Sequence, residues 1–187
     1  MRVTFDLTGQ LLIAMPKVSE TIFSNSLLFM CAHNCDGAMG IVINKPLQTN
    51  LKAVLAQLNI DSSSCPMNNA CMYYGGPVST DRVFVLHRPS KKWASTASIT
   101  TDVSLSTSLD ILEDISQDKG PSEVLISVGH AGWKPGQLED EFRENAWLSV
   151  PCNPELIFNV SAGEKVSGAI ETLGIQNGTL SEYCGQA

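Results

Sequence analysis

The run Gly129-His130-Ala131-Gly132-Trp133-Lys134-Pro135-Gly136-Gln137-Leu138-Glu139 leaves its backbone less freedom than any other stretch of the chain. Three glycines and a proline fall within its first eight residues. Glycine enters conformations that other residues avoid and proline pins its own φ, so such a run is written for one backbone path. It follows directly on Glu123-Val124-Leu125-Ile126-Ser127-Val128, an almost continuous apolar run suited to a strand buried on both faces. The expected order is therefore a strand, a constrained turn over 129–139, and a short helix that reaches about residue 144.

Upstream, residues 9–15, 27–33 and 38–44 are short apolar runs closed by Pro16, Asp36-Gly37 and Lys45-Pro46, and they read as strands. Asn34-Cys35-Asp36-Gly37 supplies the turn that joins the second and third as a hairpin. The period then changes. Leu51, Val54, Leu55 and Leu58 recur at i, i+3, i+4 and i+7 behind Thr49-Asn50, which predicts a capped amphipathic helix. A surface loop over 61–69 leads to strands over 71–74 and 82–88, set around Gly75-Gly76-Pro77. The Ser- and Thr-rich stretch from 93 to 105 reads equally as strand or loop. A helix over about 108–117 carries Leu109, Leu112 and Ile115 on one face, residues 146–150 read as a strand, and a last helix covers about 163–173. Residues 174–187 read as a tail. With no internal repeat, no linker and no strict βαβ alternation, the expectation is one α+β domain over 1–187.

Composition closes off several functions. A chain of 187 residues that is 43% hydrophobic and 17% charged can bury a core of its own. Its net charge is −7 and Lys91-Lys92 is the sole basic pair, so it lacks the cationic footprint that phosphate backbones demand. Direct nucleic-acid binding is therefore not expected. No window approaches the ~20 apolar residues of a membrane span, which argues against a membrane-embedded chain. Asp6 and Gln10 interrupt the N-terminal apolar residues too early for a secretory signal, so a cytoplasmic setting with free thiols at the six cysteines is expected.

Main-chain N–H groups after the 129–139 run offer a seat for an anion or carboxylate. Glu139, Asp140 and Glu141 already answer the helix dipole there, and the competing reading is a structural corner anchored by Trp133. His33, His87 and His130 each end a strand-like run, where a histidine is either a general base or a hydrogen-bonded structural residue. Cys31, His33 and Cys35 alternate along one strand but lack a second pair at a zinc spacing, so no metal and no cofactor is expected. The strings GxSxG, CxxC, HExxH and the phosphate loop are all absent. Gly75-Gly76-Pro77-Val78-Ser79-Thr80-Asp81-Arg82 lacks the phosphate-loop lysine and reads as a rigid inter-strand connection in which Asp81 and Arg82 pair locally or across to a neighbouring loop.

Four strings carry a resemblance: LTGQLLIAMP, GAMGIVINKPL, YYGGPVSTDRVFVLH and GHAGWKPGQLEDEFRENAWLSVP. In order and spacing the chain resembles the AlgH/YqgE family of bacterial proteins over almost its whole length. The resemblance implies an α+β fold whose bent mixed or antiparallel sheets form a pseudo-barrel flanked by helices. It also brings a transcriptional-regulator label, and it supplies no catalytic residues. His130 and Lys134 stand where that family commonly has an aromatic residue and a glycine, which argues against a required catalytic role for either.

The functional expectation is a non-enzymatic, cytoplasmic regulatory module that binds a protein or small-molecule partner. Its site is expected at one rim formed by Gly76, Pro77, Arg82, Trp133, Pro135 and Gln137, where rigid turns meet an aromatic residue and a cation. Two alternatives are carried: a transcriptional regulator acting on DNA directly or indirectly, and a hydrolase-like enzyme using His87 or His130 with Asp81 or Glu139. The enzyme reading requires a pocket that holds two of those groups together.

Overall fold

A computed structural model of the chain describes residues 6–18 and 21–174. The tail expected from residue 174 lies, beyond Gly174 itself, outside the described residues. β1 (Gln10–Ala14), β2 (Leu27–Asn34) and β3 (Gly37–Val42) form where the apolar runs predict them, and β2 and β3 make the expected hairpin across Asn34 and Gly37. β2 buries both faces: Leu27, Phe29 and Cys31 enter one core, Leu28 and Met30 another. That is the period-2 alternation of a strand, and burial on both sides explains why the run looks continuously apolar. Each fully buried Leu or Phe there contributes about 1.5–3 kcal/mol from apolar surface removed from water.

The chain then pairs β4 (Pro46–Asn50) antiparallel with β5 (Cys71–Tyr74) and inserts α1 (Leu51–Gln57) between them. Asn50 caps α1, its side chain accepting from the Ala53 N–H at 3.1 Å. β6 (Val78–His87) starts four residues before the expected strand at 82. β7 (Thr96–Ser98) and β8 (Ser104–Ser106) settle the ambiguous Ser/Thr-rich stretch as two short strands. α2 (Leu109–Ser116) packs Ile111, Leu112 and Ile115 with Val54 and Leu55 of α1 over the sheet. α4 (Pro154–Phe158) and α5 (Lys165–Glu171) close the far side, where Leu156, Ile157, Ala169 and Ile170 cover the other core.

β9 (Val124–Trp133) organises the sheet. Its first half lies between β5, which it pairs in parallel at Ile126 to Val128, and β6, which it pairs antiparallel. Its second half pairs antiparallel with β3, Ala131 opposite Gly40 and Trp133 opposite Ala38. The strand order is β10-β1-β2-β3-β9-β6-β8-β7, with β10 (Trp147–Pro151) antiparallel to β1. The sheet curls into a half-barrel, and among the described residues it is mostly antiparallel with one parallel pair and is flanked by five α-helices. This is the expected α+β architecture. Among the described residues no helix is long and apolar enough to cross a membrane.

One expectation is corrected here. Residues 129–133 are not a turn but the second half of β9, and the corner is confined to Lys134, Pro135 and Gly136 before α3 (Gln137–Arg143). The Gly136 backbone is left-handed, φ 79°, and the Gln137 side chain accepts from the Lys134 N–H at 3.0 Å. The early glycines serve a crossing of two backbones. A Cβ on Gly129 (φ 72°) would lie 2.2 Å from the Gly76 carbonyl oxygen, and one on Gly76 would lie 2.2 Å from the His130 carbonyl carbon. Only glycine permits that approach.

Candidate functional site

The Gly76 and Gly129 crossing deforms β6. Val78 stands opposite His130 and Val83 opposite Val128, so residues 79–82 of β6 face Gly129 alone on β9. Four residues against one make an arch, and Ser79 turns it with a positive φ of 51°. β8 does not reach this far, since its pairing with β6 begins at Val85. Residues 79–82 have no one-to-one partner in the register with either β9 or β8. Bulges of this kind re-aim side chains and recur beside binding sites.

Beside the arch lies an apolar groove of about 230 Å³ lined by Leu58, Val83, Val85, Leu109 and Leu112, with Asp81, Arg82, Thr107 and Ser108 along its edges. Leu109 departs from expectation. It was expected on the buried face of its helix with Leu112 and Ile115, yet it is 52% exposed while those two are buried. As the first residue of α2 it overhangs the end of the core and becomes one lip of the groove. The wall beneath it is pinned: the Ser95 N–H donates to the Ser108 hydroxyl at 3.0 Å and the Ala94 N–H to the Asp110 carboxylate at 2.8 Å. Arg82 is exposed, and its guanidinium enters no ion pair or hydrogen bond with any described residue. Nor do Asp81 and Arg82 pair with each other.

The six rim residues do not share one concavity. Gly76 is buried against the backbone of His130 and Ala131, Pro77 is exposed, and Arg82 lines the groove. Pro135 and Gln137 line a separate, acidic depression with Asp140, Glu141 and Glu144. The division follows from strand alternation, because Trp133 and Ala131 point into the core on one side of β9 while His130 packs on Phe84 at 5.1 Å on the other. Trp133 is a buried anchor, as its structural reading proposed. It sits 5.9 Å from Trp147 and 6.4 Å from Phe23, and both indole N–H groups donate to Glu141, at 2.9 and 2.7 Å.

The three histidines lie in three settings. His87 is fully buried; its Nδ1 meets the Arg88 carbonyl at 2.8 Å and its Nε2 the Ser106 hydroxyl at 2.9 Å, which also bonds Thr96. Burial pushes its pKa down. His33 accepts from the Leu7 N–H at 3.2 Å, which directs Nε2 to Glu139 at 3.3 Å. His130 is half-buried, its Nδ1 has no partner among the described residues, and burial with the nearby Arg82 charge holds its pKa low. Among the described residues neither expected acid pairs with His87 or His130: Glu139 serves His33, and Asp81 stands at the groove. Among the described residues no three His, Cys, Asp or Glu groups gather as a metal site, and Cys31, buried and pushed up to about 12, is a core thiol.

The fold is thus an α+β half-barrel threaded by a central strand that pairs with β3, β5 and β6, with glycines at a backbone crossing. The AlgH-like family profile matches residues 11–178. The chain is 42% identical over 182 residues to a UPF0301 protein of Nitrosospira multiformis, covering 97% of this chain and 98% of that one. It is 41% identical over 182 residues to a UPF0301 protein of Dechloromonas aromatica, with the same coverage. The solution structure of the AlgH protein from Pseudomonas aeruginosa superposes with a TM-score of 0.82 at 39% identity, covering 100% of this chain and 97% of that one. A crystal structure of a Corynebacterium diphtheriae protein shares the fold at 19% identity, with a TM-score of 0.72 over 95% of this chain and 91% of that one. The chain belongs to the AlgH-like family.

Proposed function

We propose that this protein is a non-enzymatic binding module of the cytoplasm, and that its ligand site is the groove between β6, α1 and α2, with the 79–82 arch as its rim. The observation that carries the reading is the conjunction at one place of an apolar groove, an exposed Leu109 lip and a bulge of β6 over residues 79–82. Apolar clefts with a few polar groups at the edge are the usual form of a ligand site. The three separated histidines weigh against the hydrolase alternative, since none stands with an acid at an open pocket. The net charge of −7 weighs against DNA as the partner. Of the expected rim, Arg82 is kept as a polar contact, and Gly76 with Pro77 positions the arch.

The test is a titration with 8-anilinonaphthalene-1-sulfonate, an apolar probe with one negative charge. Saturable fluorescence enhancement is expected with the native chain, at least tenfold weaker with Leu109→Asp and reduced with Arg82→Glu. Equal enhancement in all three proteins would refute the assignment.

A further inference from the structure

We infer that the segment from Trp93 to Ser98 is an acid-sensitive strap, latched while the His87 ring is neutral and released when that ring takes a second proton. It stands apart from the binding reading above. The latch is a chain of hydrogen bonds whose direction is fixed from one end. The Arg88 carbonyl, 2.8 Å from Nδ1, can only accept, so Nδ1 carries the proton of the neutral ring and Nε2 keeps a free lone pair. Nε2 therefore accepts from the Ser106 hydroxyl at 2.9 Å. Ser106, its one hydrogen spent, accepts from the Thr96 hydroxyl at 2.8 Å, and Thr96 accepts from the Trp93 N–H at 2.9 Å. His87 and Ser106 are fully buried, and the Trp93 ring meets the imidazole edge to face at 5.0 Å.

A proton on Nε2 turns the acceptor at the head of this chain into a donor. Ser106 must then point its hydrogen at Thr96, and the Thr96 hydrogen loses its acceptor inside the latch. The imidazolium also finds no counter-ion. Ser104 and Val124, opposite His87 on β8 and β9, carry no charge. Arg88 beside it is a cation, and Asp102, Glu123 and Glu155 are engaged with that guanidinium. Lys91 lies 5.6 Å over the Trp93 ring and pairs with Asp114, which also takes the Trp93 indole N–H at 2.6 Å. Asp110 of α2 takes the Ala94 N–H at 2.8 Å. Among the described residues no carboxylate bonds His87. Lifting the strap admits water to Nε2 and ends both conflicts. The strap is the piece free to move, because β7 is a three-residue strand at the end of the sheet order, next to β8. Burial holds the His87 pKa below its ordinary 6.5, so the open form binds more protons and opening grows as pH falls below 6.5. Asp110 is held below the ordinary carboxylate range by the Ser108 hydroxyl, and Asp114 by Lys91 and the indole N–H, so both stay charged through that window.

Amide hydrogen exchange of the full chain at pH 7.5 and pH 5.5, each rate divided by the intrinsic rate at that pH, reads the opening at the Trp93, Ala94 and Ser95 amides. Their protection is expected to fall about five- to tenfold across the interval, the response of one proton whose pKa becomes ordinary only in the open form. The β9 amides should stay better protected than the strap at both pH values, as a local opening requires. In His87→Gln, whose amide oxygen still accepts from Ser106 but takes no proton, the fall should vanish. The ring nitrogen shifts of the native protein test the latch whether or not that variant folds, and at pH 7.5 they should place the His87 proton on Nδ1. Strap protection that is the same at both pH values would overturn the inference. So would an equal fall in His87→Gln, strap amides as protected as those of β9 at pH 5.5, or a His87 proton on Nε2 at pH 7.5.

Discussion

Lys165 carries an ammonium into a core where it pairs with no carboxylate of the described residues. Its side chain is enclosed, 1% exposed, with Nζ 2.7 Å from the Ile157 carbonyl and 5.1 Å above the Tyr73 ring. Burial lowers its pKa to about 8. The unfolded chain therefore holds that proton more tightly, and this group's contribution to stability rises with pH between about 8 and its ordinary value of 10.5. Urea unfolding of the native chain and Lys165→Met at pH 7 and pH 9.5 should show Met ahead at pH 7, with the gap shrinking by of order 2 kcal/mol at pH 9.5. His130 poses a smaller version of the problem. Its buried Nδ1 has no partner, so His130→Phe, which keeps a ring against Phe84, should raise stability by about 1 kcal/mol in the same assay. A loss would mean that the nitrogen is satisfied by water.

At the level of elements, the crossing of β6 and β9 and the indole cluster bear the architecture. Gly76→Ala sets a methyl group 2.2 Å from the His130 carbonyl carbon at a φ of 149°, and should cost at least ~2 kcal/mol in thermal unfolding. Glu141→Leu strands two buried indole N–H groups that tie β9 and β10 to α3; a loss of order 2 kcal/mol is expected, with Glu141→Gln retaining part of it because its amide oxygen still accepts. Local elements were legible in the chain where a residue period or a turn residue writes them. The Leu51, Val54, Leu55 pattern and the Asp36-Gly37 turn led directly to α1 and the β2–β3 hairpin. β4 was missed because Pro46, Gln48 and Thr49 present no apolar alternation, and α4 because five residues hold barely one turn. The reach of β9 through residue 133 was hidden by its glycines, which look like a turn in isolation and become strand only when Gly76 lies across them. The candidate site was half visible: Arg82 and the Gly76-Pro77 turn stood out, while Leu58, Val83 and Leu109 are ordinary core letters until non-local packing leaves them at a lip.

For the molecule as a whole, the half-barrel keeps its two ends apart. The Trp133, Trp147 and Glu141 cluster and its acidic depression lie on one side of β9, and the arch, groove and Arg82 lie around β6, α1 and α2. In the first, both indole N–H groups are answered by Glu141; the second holds apolar surface and an Arg82 guanidinium with no ion-pair partner among the described residues. That asymmetry supports the proposal that binding takes place at the groove. It is tested most directly by a residue-resolved amide chemical-shift map recorded during titration with 8-anilinonaphthalene-1-sulfonate. Binding at the groove predicts shifts confined to Leu58, to residues 79–85 and to residues 107–112. Shifts centred on Lys134, Gln137 and Glu144 instead, with the 79–85 amides unmoved, would contradict it.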